Sequence, residues 1–320
     1  MAPNRPFVVD AALTAVAVGY RNEAQTLIAD QVLPRKDVAQ ERFRWTEYPL
    51  AEGFTVPDTR VGRMGRVNVI EFSGTEQTGS VDDHGLDVPV PQSDIKAAAA
   101  ARAAGQSTYD PEARAVAGVT NIVLLAREVR VAALINDPNT YAAARRVTLA
   151  GTSQLSDFAA SDPIGVISAA IDGTLVYRAN TLVMGQTVWS KVRRHPKIVN
   201  AIKGNLTEEG MVTRQQFADL FEIGRLLVGE SFVNVAKPGQ AVNLARTWGK
   251  HIAALHIDPS ATPEQGITFG LTAQFGGRIA GRILDPDMGL EGGQRVRSGE
   301  RVKEIVIAKD VGYFIQNAVA

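Results

Sequence analysis

The 320-residue chain contains no cysteine, and this absence excludes disulfide frameworks, thiolate metal sites and cysteine nucleophiles. Its 34 basic and 34 acidic side chains cancel, so it lacks the positive excess of proteins that neutralise many phosphates. It has no run of about 18 to 20 apolar residues and no convincing secretory signal at its start. We therefore expect a soluble protein without a membrane span, made in a cytoplasm.

Recognisable catalytic motifs are also missing. The sequence has no G-x-G-x-x-G loop, no Walker-type phosphate loop and no G-x-S-x-G nucleophile elbow. His251 and His256 are an odd number of residues apart, so on a strand they would face opposite sides and share no metal. We predict no cofactor and no metal site, and we do not expect an enzyme.

The residues that are present favour a sizeable core and extensive contacts. Hydrophobic residues make up 45% of the chain, which excludes a disordered protein. Arginine outnumbers lysine 25 to nine, and arginine suits bidentate contacts with carboxylates at interfaces. A GC-rich genome would produce the same bias, so the excess of arginine is supporting evidence only.

Residues 1–45 have the character of an arm. Asp10 is suited to cap a helix whose apolar stripe begins at Leu13 and continues, with a second apolar set, until Pro34 stops it. No local partner covers this stripe. We expect it to be buried against the body of the chain or against another subunit.

Residues 46–95 are interrupted repeatedly by glycine and proline. Residues 66–72 alternate like a strand, and residues 81–90 are the candidate partner strand. We predict a long β-hairpin with no core of its own, which would be marginal alone in water. An extended loop over its own domain is the alternative.

The strongest helical pattern begins at Asp110, a good N-cap, with Pro111 at the first helical position. It runs to about Asn136, which gives a helix of roughly 39 Å, long enough to span a small domain. The preceding alanine-rich residues 97–104 are predicted to be a connector.

The remaining sequence alternates between helical and strand patterns and predicts the α+β class. Helices are expected from Pro163, Gln186 and Pro196, and after the capping box Thr213-x-x-Gln216. Strands are expected at residues 181–185, 225–228, 231–235, 251–257 and 268–275 and within 294–320.

One compact acid–base cluster, Asp82-Asp83-His84, lies in the predicted hairpin. It is either an ion-pair or divalent-ion site between subunits or a solvated turn, and the turn is the favoured interpretation. An arm, an unsupported hairpin and an overlong helix would suit a subunit that completes its core by embracing neighbours. The candidate contacts between subunits are Arg60, Arg63, Arg66, Asp82, Asp83 and His84.

Several short segments, spread over nearly the whole chain, carry a resemblance to a known family. In order they are residues 13–20 (LTAVAVGY), 28–34 (IADQVLP), 180–185 (NTLVMG), 188–189 (VW), 194–197 (RHPK) and 311–319 (VGYFIQNAV). Each is weakly specific alone. As an ordered set they resemble the major capsid proteins of tailed bacteriophages, which have the Hong Kong 97-type fold.

The resemblance implies an α+β fold with five parts. These are an N-terminal arm (1–45), an extended β-hairpin loop over a neighbouring subunit (46–95), a peripheral domain with a spine helix (96–162), an axial domain (163–290) and C-terminal strands returning to the peripheral and then the axial domain (291–320).

The resemblance also implies a function. The chain would self-assemble in a host bacterial cytoplasm, as hexamers and pentamers, into the icosahedral head shell of a virion that encloses double-stranded DNA. The arm starts at once, so a separate scaffold protein is expected, together with a portal and a cement protein. Because the net charge is zero, we expect only weak contact with the packaged DNA.

One departure from the family pattern concerns covalent welding. Some members cross-link subunits through an isopeptide bond from a lysine on the extended loop, but residues 46–95 contain no lysine. We therefore expect a shell held without covalent bonds. The alternatives are an encapsulin-like nanocompartment shell and a cytoplasmic α+β enzyme with an unrecognised site.

Overall fold

The computed structural model describes residues 7–19, 26–47, 54–70, 75–204, 209–263 and 266–320. Within these ranges no helix is long and apolar enough to cross a membrane. The helices are α1 (Ala11–Gly19), α2 (Ala29–Val32), α3 (Gln92–Ala103), α4 (Pro111–Ile135), α5 (Pro163–Asp172), α6 (Gln186–Val192), α7 (Pro196–Lys203) and α8 (Arg214–Leu220). The strands are β1 (Val8–Val9), β2 (Arg35–Asp37), β3 (Arg42–Glu47), β4 (Thr75–Ser80), β5 (Asp82–Pro91), β6 (Arg146–Thr148), β7 (Thr181–Gly185), β8 (Arg225–Gly229), β9 (Phe232–Asn234), β10 (Leu244–Arg246), β11 (Ile252–Leu255), β12 (Gly270–Gln274), β13 (Ile279–Asp285), β14 (Gly293–Val306) and β15 (Gly312–Gln316).

A six-stranded sheet is organised around β14. Its path is β1-β13-β14-β12-β2, and β5 pairs with β14 in addition. Residues 293–299 of β14 pair with both β13 and β5, so these two strands lie on opposite edges of β14. Residues 302–306 pair with β12. Strand β14 is therefore the central element of this sheet.

A five-stranded sheet, in the order β6-β15-β11-β7-β8, lies between two cores. Leu182 and Met184 of β7 face a core shared with α5, α6, α7 and α8. Val183 of β7 and Leu255 of β11 face the other core, which contains residues of α2 and α4. Because both faces are covered, β7 and β11 are buried along their whole lengths and are rich in apolar residues.

The predicted long helix is confirmed as α4. The Asp110 carboxylate accepts hydrogen bonds from the backbone N–H groups of Glu112 (3.0 Å) and Ala113 (3.3 Å), and Pro111 occupies the first turn. Helices from Pro163, Gln186 and Pro196 and the capping box at Thr213 are also present as predicted.

The predicted pairing within residues 46–95 is wrong. Residues 66–70 form no strand and are exposed, and residues 71–72 lie outside the described part of the chain. The predicted strand at 81–90 exists as β5, but its partner is β14. The antiparallel pair at this place is instead formed by β4 with β3, and most of β3 precedes residue 46. Alternation of valines signals a strand only where one face is buried, and here neither face is.

The alanine-rich connector predicted at 97–104 belongs to helix α3 for most of its length. Alanine has the highest helix propensity, and Pro91 precedes the first turn as the N-cap. Residues 270–285, which the prediction placed with 163–290, form β12 and β13 of the six-stranded sheet rather than joining the five-stranded sheet.

The N-terminal stripe packs on the body of the same chain. Leu13 and Ala17 of α1 are buried with Val116 of α4 and Ala280 of β13. The expected continuation of the stripe falls partly on residues 20–25, outside the described residues. Residues 26–28 are not helical, and α2 restarts the helix for a single turn.

A buried carboxylate on α4 joins the arm to the five-stranded sheet. Glu128 is fully buried and accepts hydrogen bonds from the backbone N–H groups of Ile28 (3.0 Å) and Ala29 (2.8 Å). It also accepts one from the indole of Trp248 (2.6 Å), which precedes β11 of the five-stranded sheet. Gly229 allows this approach, because a Cβ there would lie 2.0 Å from the Trp248 ring.

The neighbouring Arg127 holds the same segment of the arm to the six-stranded sheet. It is fully buried, pairs with Asp30, and donates to the Leu33 carbonyl (3.2 Å) and to the Thr272 hydroxyl of β12 (2.8 Å). A buried charge is tolerated only when it is paired and hydrogen-bonded, as it is here.

Arg35 extends this network to β14. Its guanidinium contacts Asp30 (2.7 Å) and the buried Glu300 (2.7 Å), and Glu300 also pairs with Arg278 (3.2 Å). We call these side chains, with Arg127, Glu128 and Trp248, the junction network. It connects the arm, the long helix and both sheets.

Replacement of Trp248 tests the junction network. Trp248→Phe removes one donor to Glu128 and keeps a buried ring, so we expect the free energy of unfolding to fall by about 1 to 3 kcal/mol. Glu128→Ala removes the acceptor of three donors and should lower the free energy of unfolding further. Both variants lose the hydrogen bond between Trp248 and Glu128. The double variant should therefore lower the free energy of unfolding by less than the sum of the two single losses. Chemical denaturation of the unassembled chain measures this, with Trp189→Phe as the control for ring size. Additive costs would contradict the coupling.

The pH dependence of stability provides a second test. Burial raises the pKa of Glu300, but the nearby guanidinium groups outweigh it and hold that pKa below its usual range. The stability it contributes is therefore present above the unfolded pKa and lost as pH falls through the folded pKa. Burial raises the pKa of Glu128 despite its hydrogen bonds. Protonation of Glu128 in acid therefore favours the folded state, which is opposite to the effect at Glu300.

We expect Glu300→Gln to be less stable than the wild type at pH 7 and to lose less stability between about pH 5 and about pH 3. Thermal unfolding of the unassembled chain across this range measures the difference. Glu76→Gln, at an exposed ion pair with Arg44, is the matched control. Parallel curves for the wild type and Glu300→Gln would refute the role given to Glu300.

Candidate functional site

Residues 54–70 form a loop that is exposed at every position. Met64 and Val69 are 100% and 94% exposed, although both are apolar. A concentration of exposed large apolar side chains in one segment indicates an interaction site. The large apolar side chains exposed in the loop are Phe54, Val56, Val61, Met64, Val67, Val69 and Ile70.

The loop is carried by a fixed base, the β3–β4 ribbon. Phe43 of β3 is buried against Leu271 of β12 and Ile305 of β14, and its ring lies 5.7 Å from that of Trp45. Gly79 of β4 passes beneath these rings, where a Cβ would come within 3.0 Å of both. The ribbon is thus anchored to the six-stranded sheet.

The three predicted arginines, Arg60, Arg63 and Arg66, all lie in this exposed loop. None of them forms an ion pair with the acidic residues that the structure describes. Asp58, the one acidic residue among residues 54–70, accepts from the Arg60 backbone N–H (2.9 Å) and shapes the turn. The loop therefore presents cations and apolar groups together.

The acid–base cluster lies in a strand, so its interpretation as a turn is wrong. Asp82, Asp83 and His84 begin β5 and pair with residues 300–302 of β14. Asp82 already forms an ion pair with Lys303 (2.7 Å), and that hydrogen bond lowers its pKa. Among the described residues no group of three or more acidic or histidine side chains is placed to hold a metal.

A groove that the sequence did not reveal adjoins this cluster. It has a volume of about 780 Å³ and lies between β5, β13 and β14. Phe7, Leu86 and Ile279 supply apolar walls. Asp87 binds Arg297 through two hydrogen bonds of 2.6 and 2.9 Å at one side. Strands more than 200 residues apart form the groove, so no local pattern signals it.

These features suit contact with another macromolecular surface better than chemistry on a small molecule. The exposed loop offers apolar and cationic groups, and the groove offers a mixed polar and apolar concavity. No arrangement of nucleophile and base emerges at either place in the residues that the structure describes.

Comparisons with known proteins agree with this interpretation. No protein-family model matches the chain. The major capsid protein of Pseudomonas phage JBD67 is 47% identical over 317 residues, which cover 99% of both chains. A phage-related protein of Bordetella bronchiseptica RB50 has a similar structure, with a TM-score of 0.74, 24% identity and 98% coverage of both chains. A capsid chain of cyanophage P-SCSP1u matches with a TM-score of 0.58 and 11% identity, covering 94% of this chain and 92% of that one.

The whole-length match to a phage capsid protein favours the head shell over the nanocompartment and the enzyme. The fold agrees, since chains of phage capsid structures align with more than nine-tenths of this chain at TM-scores above 0.5. The chain therefore belongs to the phage major capsid proteins of the Hong Kong 97-type fold, and it is a structural subunit of an icosahedral head shell.

Proposed function

We propose that residues 54–70 lie across a neighbouring subunit and that this contact closes the shell. The observation that supports it is the complete exposure of this loop, with its seven large apolar side chains, in a single chain. Each buried square ångström of apolar surface contributes about 25 cal/mol. The loop gains this energy only when a second copy covers it.

Arg60, Arg63 and Arg66 are proposed to orient the loop on the neighbour. Their guanidinium groups are exposed and have no acidic partner among the described residues of their own chain. Arginine binds carboxylates in a bidentate geometry, which adds specificity to an apolar contact. Asp83 and His84 remain candidates for contacts between subunits: Asp83 is 86% exposed and its ion pair with Arg301 is long (4.0 Å), whereas Asp82 is held by Lys303 at 2.7 Å.

The two sheets suggest how the domains are arranged. We assign the six-stranded sheet with α4 to the peripheral domain and the five-stranded sheet with α5 to α8 to the axial domain, around which hexamers and pentamers form. The C-terminal residues support this assignment, since β14 belongs to the first sheet and β15 to the second. A separate scaffold, a portal and a cement protein are the proposed partners.

A variant of the loop tests its role. Replacing residues 54–70 by a glycine–serine linker of equal length should leave a folded subunit that forms no closed shells, because the loop contacts no core. A deletion of 51–90 would also remove nine of the ten residues of β5 and their pairs with β14, so it would confuse folding with assembly. Negative-stain microscopy counts the shells, and thermal unfolding verifies the fold.

Two smaller variants separate the contributions of the loop. Val61→Ser, Met64→Ser and Val67→Ser together remove apolar area, whereas Arg60→Gln, Arg63→Gln and Arg66→Gln together remove charge. We expect the first set to abolish closed shells and the second to reduce their yield in a salt-dependent way. Wild-type yields from the linker variant would contradict the embracing loop.

The absence of lysine from residues 46–95 supports a shell held without covalent cross-links. Purified mature particles boiled in detergent should therefore give a single band at the mass of one chain. Subunits aggregated by heat and then boiled in detergent in the same way serve as the control for aggregation. A ladder of covalent multimers would refute this proposal.

A further inference from the structure

Helices α6 and α7 and their connection contain five cations and no carboxylate. The surrounding stretch, residues 173–207, contains no aspartate or glutamate at all. We call this surface the α6–α7 corner. Its cations are Lys191, Arg193, Arg194, Lys197 and Lys203.

These five cations form no ion pair with the acidic residues that the structure describes. By contrast, fourteen other lysine and arginine side chains form ion pairs with acidic residues in the described part of the chain. Lys197 donates only to the Ser161 carbonyl (2.6 Å), and Arg193 lies over the Trp189 ring at 5.8 Å. No described carboxylate therefore lies within ion-pair distance of these cations, although Asp157 and Asp162 are close enough to influence His195 between the two helices.

The corner is rigid. His195, between the two helices, is fully buried, with its Nε2 3.0 Å from the Ser161 hydroxyl and its ring 5.2 Å from that of Phe158. Val192 and Ile198 are buried on either side of it. Arg194 and Lys197, which flank His195, are exposed. The backbone thus holds its cations outward on a fixed frame.

The corner belongs to the outer helical layer of the five-stranded sheet. Helices α6 and α7 contribute to the core on the face of that sheet opposite the core of α4. The corner thus lies apart from the exposed loop, which is anchored to the six-stranded sheet. It is a second surface, with a different character: cationic rather than apolar.

We propose that the α6–α7 corner binds the phosphate backbone of duplex DNA without reading its sequence. This proposal rests on the proposed function in one respect: the duplex DNA would be the genome enclosed by the shell. Phosphate contacts need exposed lysine and arginine and no particular base, and the corner supplies these groups from a stretch of sequence, residues 173–207, that contains no carboxylate. The corner holds five cations against the three arginines of the exposed loop, so it is the larger group of unpaired positive charge.

Salt dependence of DNA binding tests the proposal on the purified, unassembled chain. The probe is a fluorescent duplex of about 30 base pairs of mixed sequence, and anisotropy is measured from about 25 to about 200 mM salt. The variant combines Arg194→Gln, Lys197→Gln and Lys203→Gln. We expect it to bind at least about tenfold more weakly at low salt, and its slope of log affinity on log salt should shrink by about 2 to 3.

A charge-matched control separates the corner from net charge. Arg44→Gln, Lys96→Gln and Arg214→Gln together also remove three cations, but each of these side chains is held in an ion pair. This control should keep the wild-type slope. Equal losses in both triple variants would overturn the proposal, because charge alone would then explain them.

Shell assembly by the corner variant identifies a competing occupant. Normal shells with weakened DNA binding support the proposal. If the corner variant forms no shells and its DNA affinity is unchanged, the corner is a contact with a carboxylate surface on another protein copy, and the proposal is wrong. The loop variants affect assembly through a different surface, so the two proposals fail independently.

Discussion

The carboxylate of Glu128 holds donors from two parts of the chain that are otherwise separate. Ile28 and Ala29 belong to the arm, whereas Trp248 belongs to the segment leading into the five-stranded sheet. Burying this charge is unfavourable, and three hydrogen bonds offset the cost only if all three donors are in place. The arm, the long helix and the second sheet are therefore held in one relative position.

Local sequence patterns predicted helices and strands better than they predicted which strands pair with each other. The cap at Asp110 and the apolar run of β7 act within a few residues, and both were read correctly from the sequence. The strand at 81–90 was also recognised, but its pairing was not, because an alternating strand does not specify which distant edge it joins. The groove and the junction network depend on contacts of that long-range kind. The resemblance to the capsid family supplied the architecture that periodicity alone left open.

Charge is distributed unevenly over a chain whose total is zero. Around β14 the arginines are matched with carboxylates, as Arg297 is with Asp87 and Arg278 with Glu300. At the α6–α7 corner and in the loop of residues 54–70 the cations have no such partners among the described acids. The zero net charge therefore combines paired charges around β14 with unpaired cations at the corner and in the loop. Surface charge has to be assessed residue by residue.

The position of β14 and β15 in the chain has a consequence for biosynthesis. Both sheets take an interior strand from residues 293–316, close to the C-terminus, and β14 pairs with β5 across more than 200 residues. Neither sheet is complete until this segment has left the ribosome, and such distant pairings form slowly. A prematurely terminated chain would lack the central strand of one sheet and an interior strand of the other. Such a chain could not complete either sheet, so it would not fold into a subunit able to enter a growing shell.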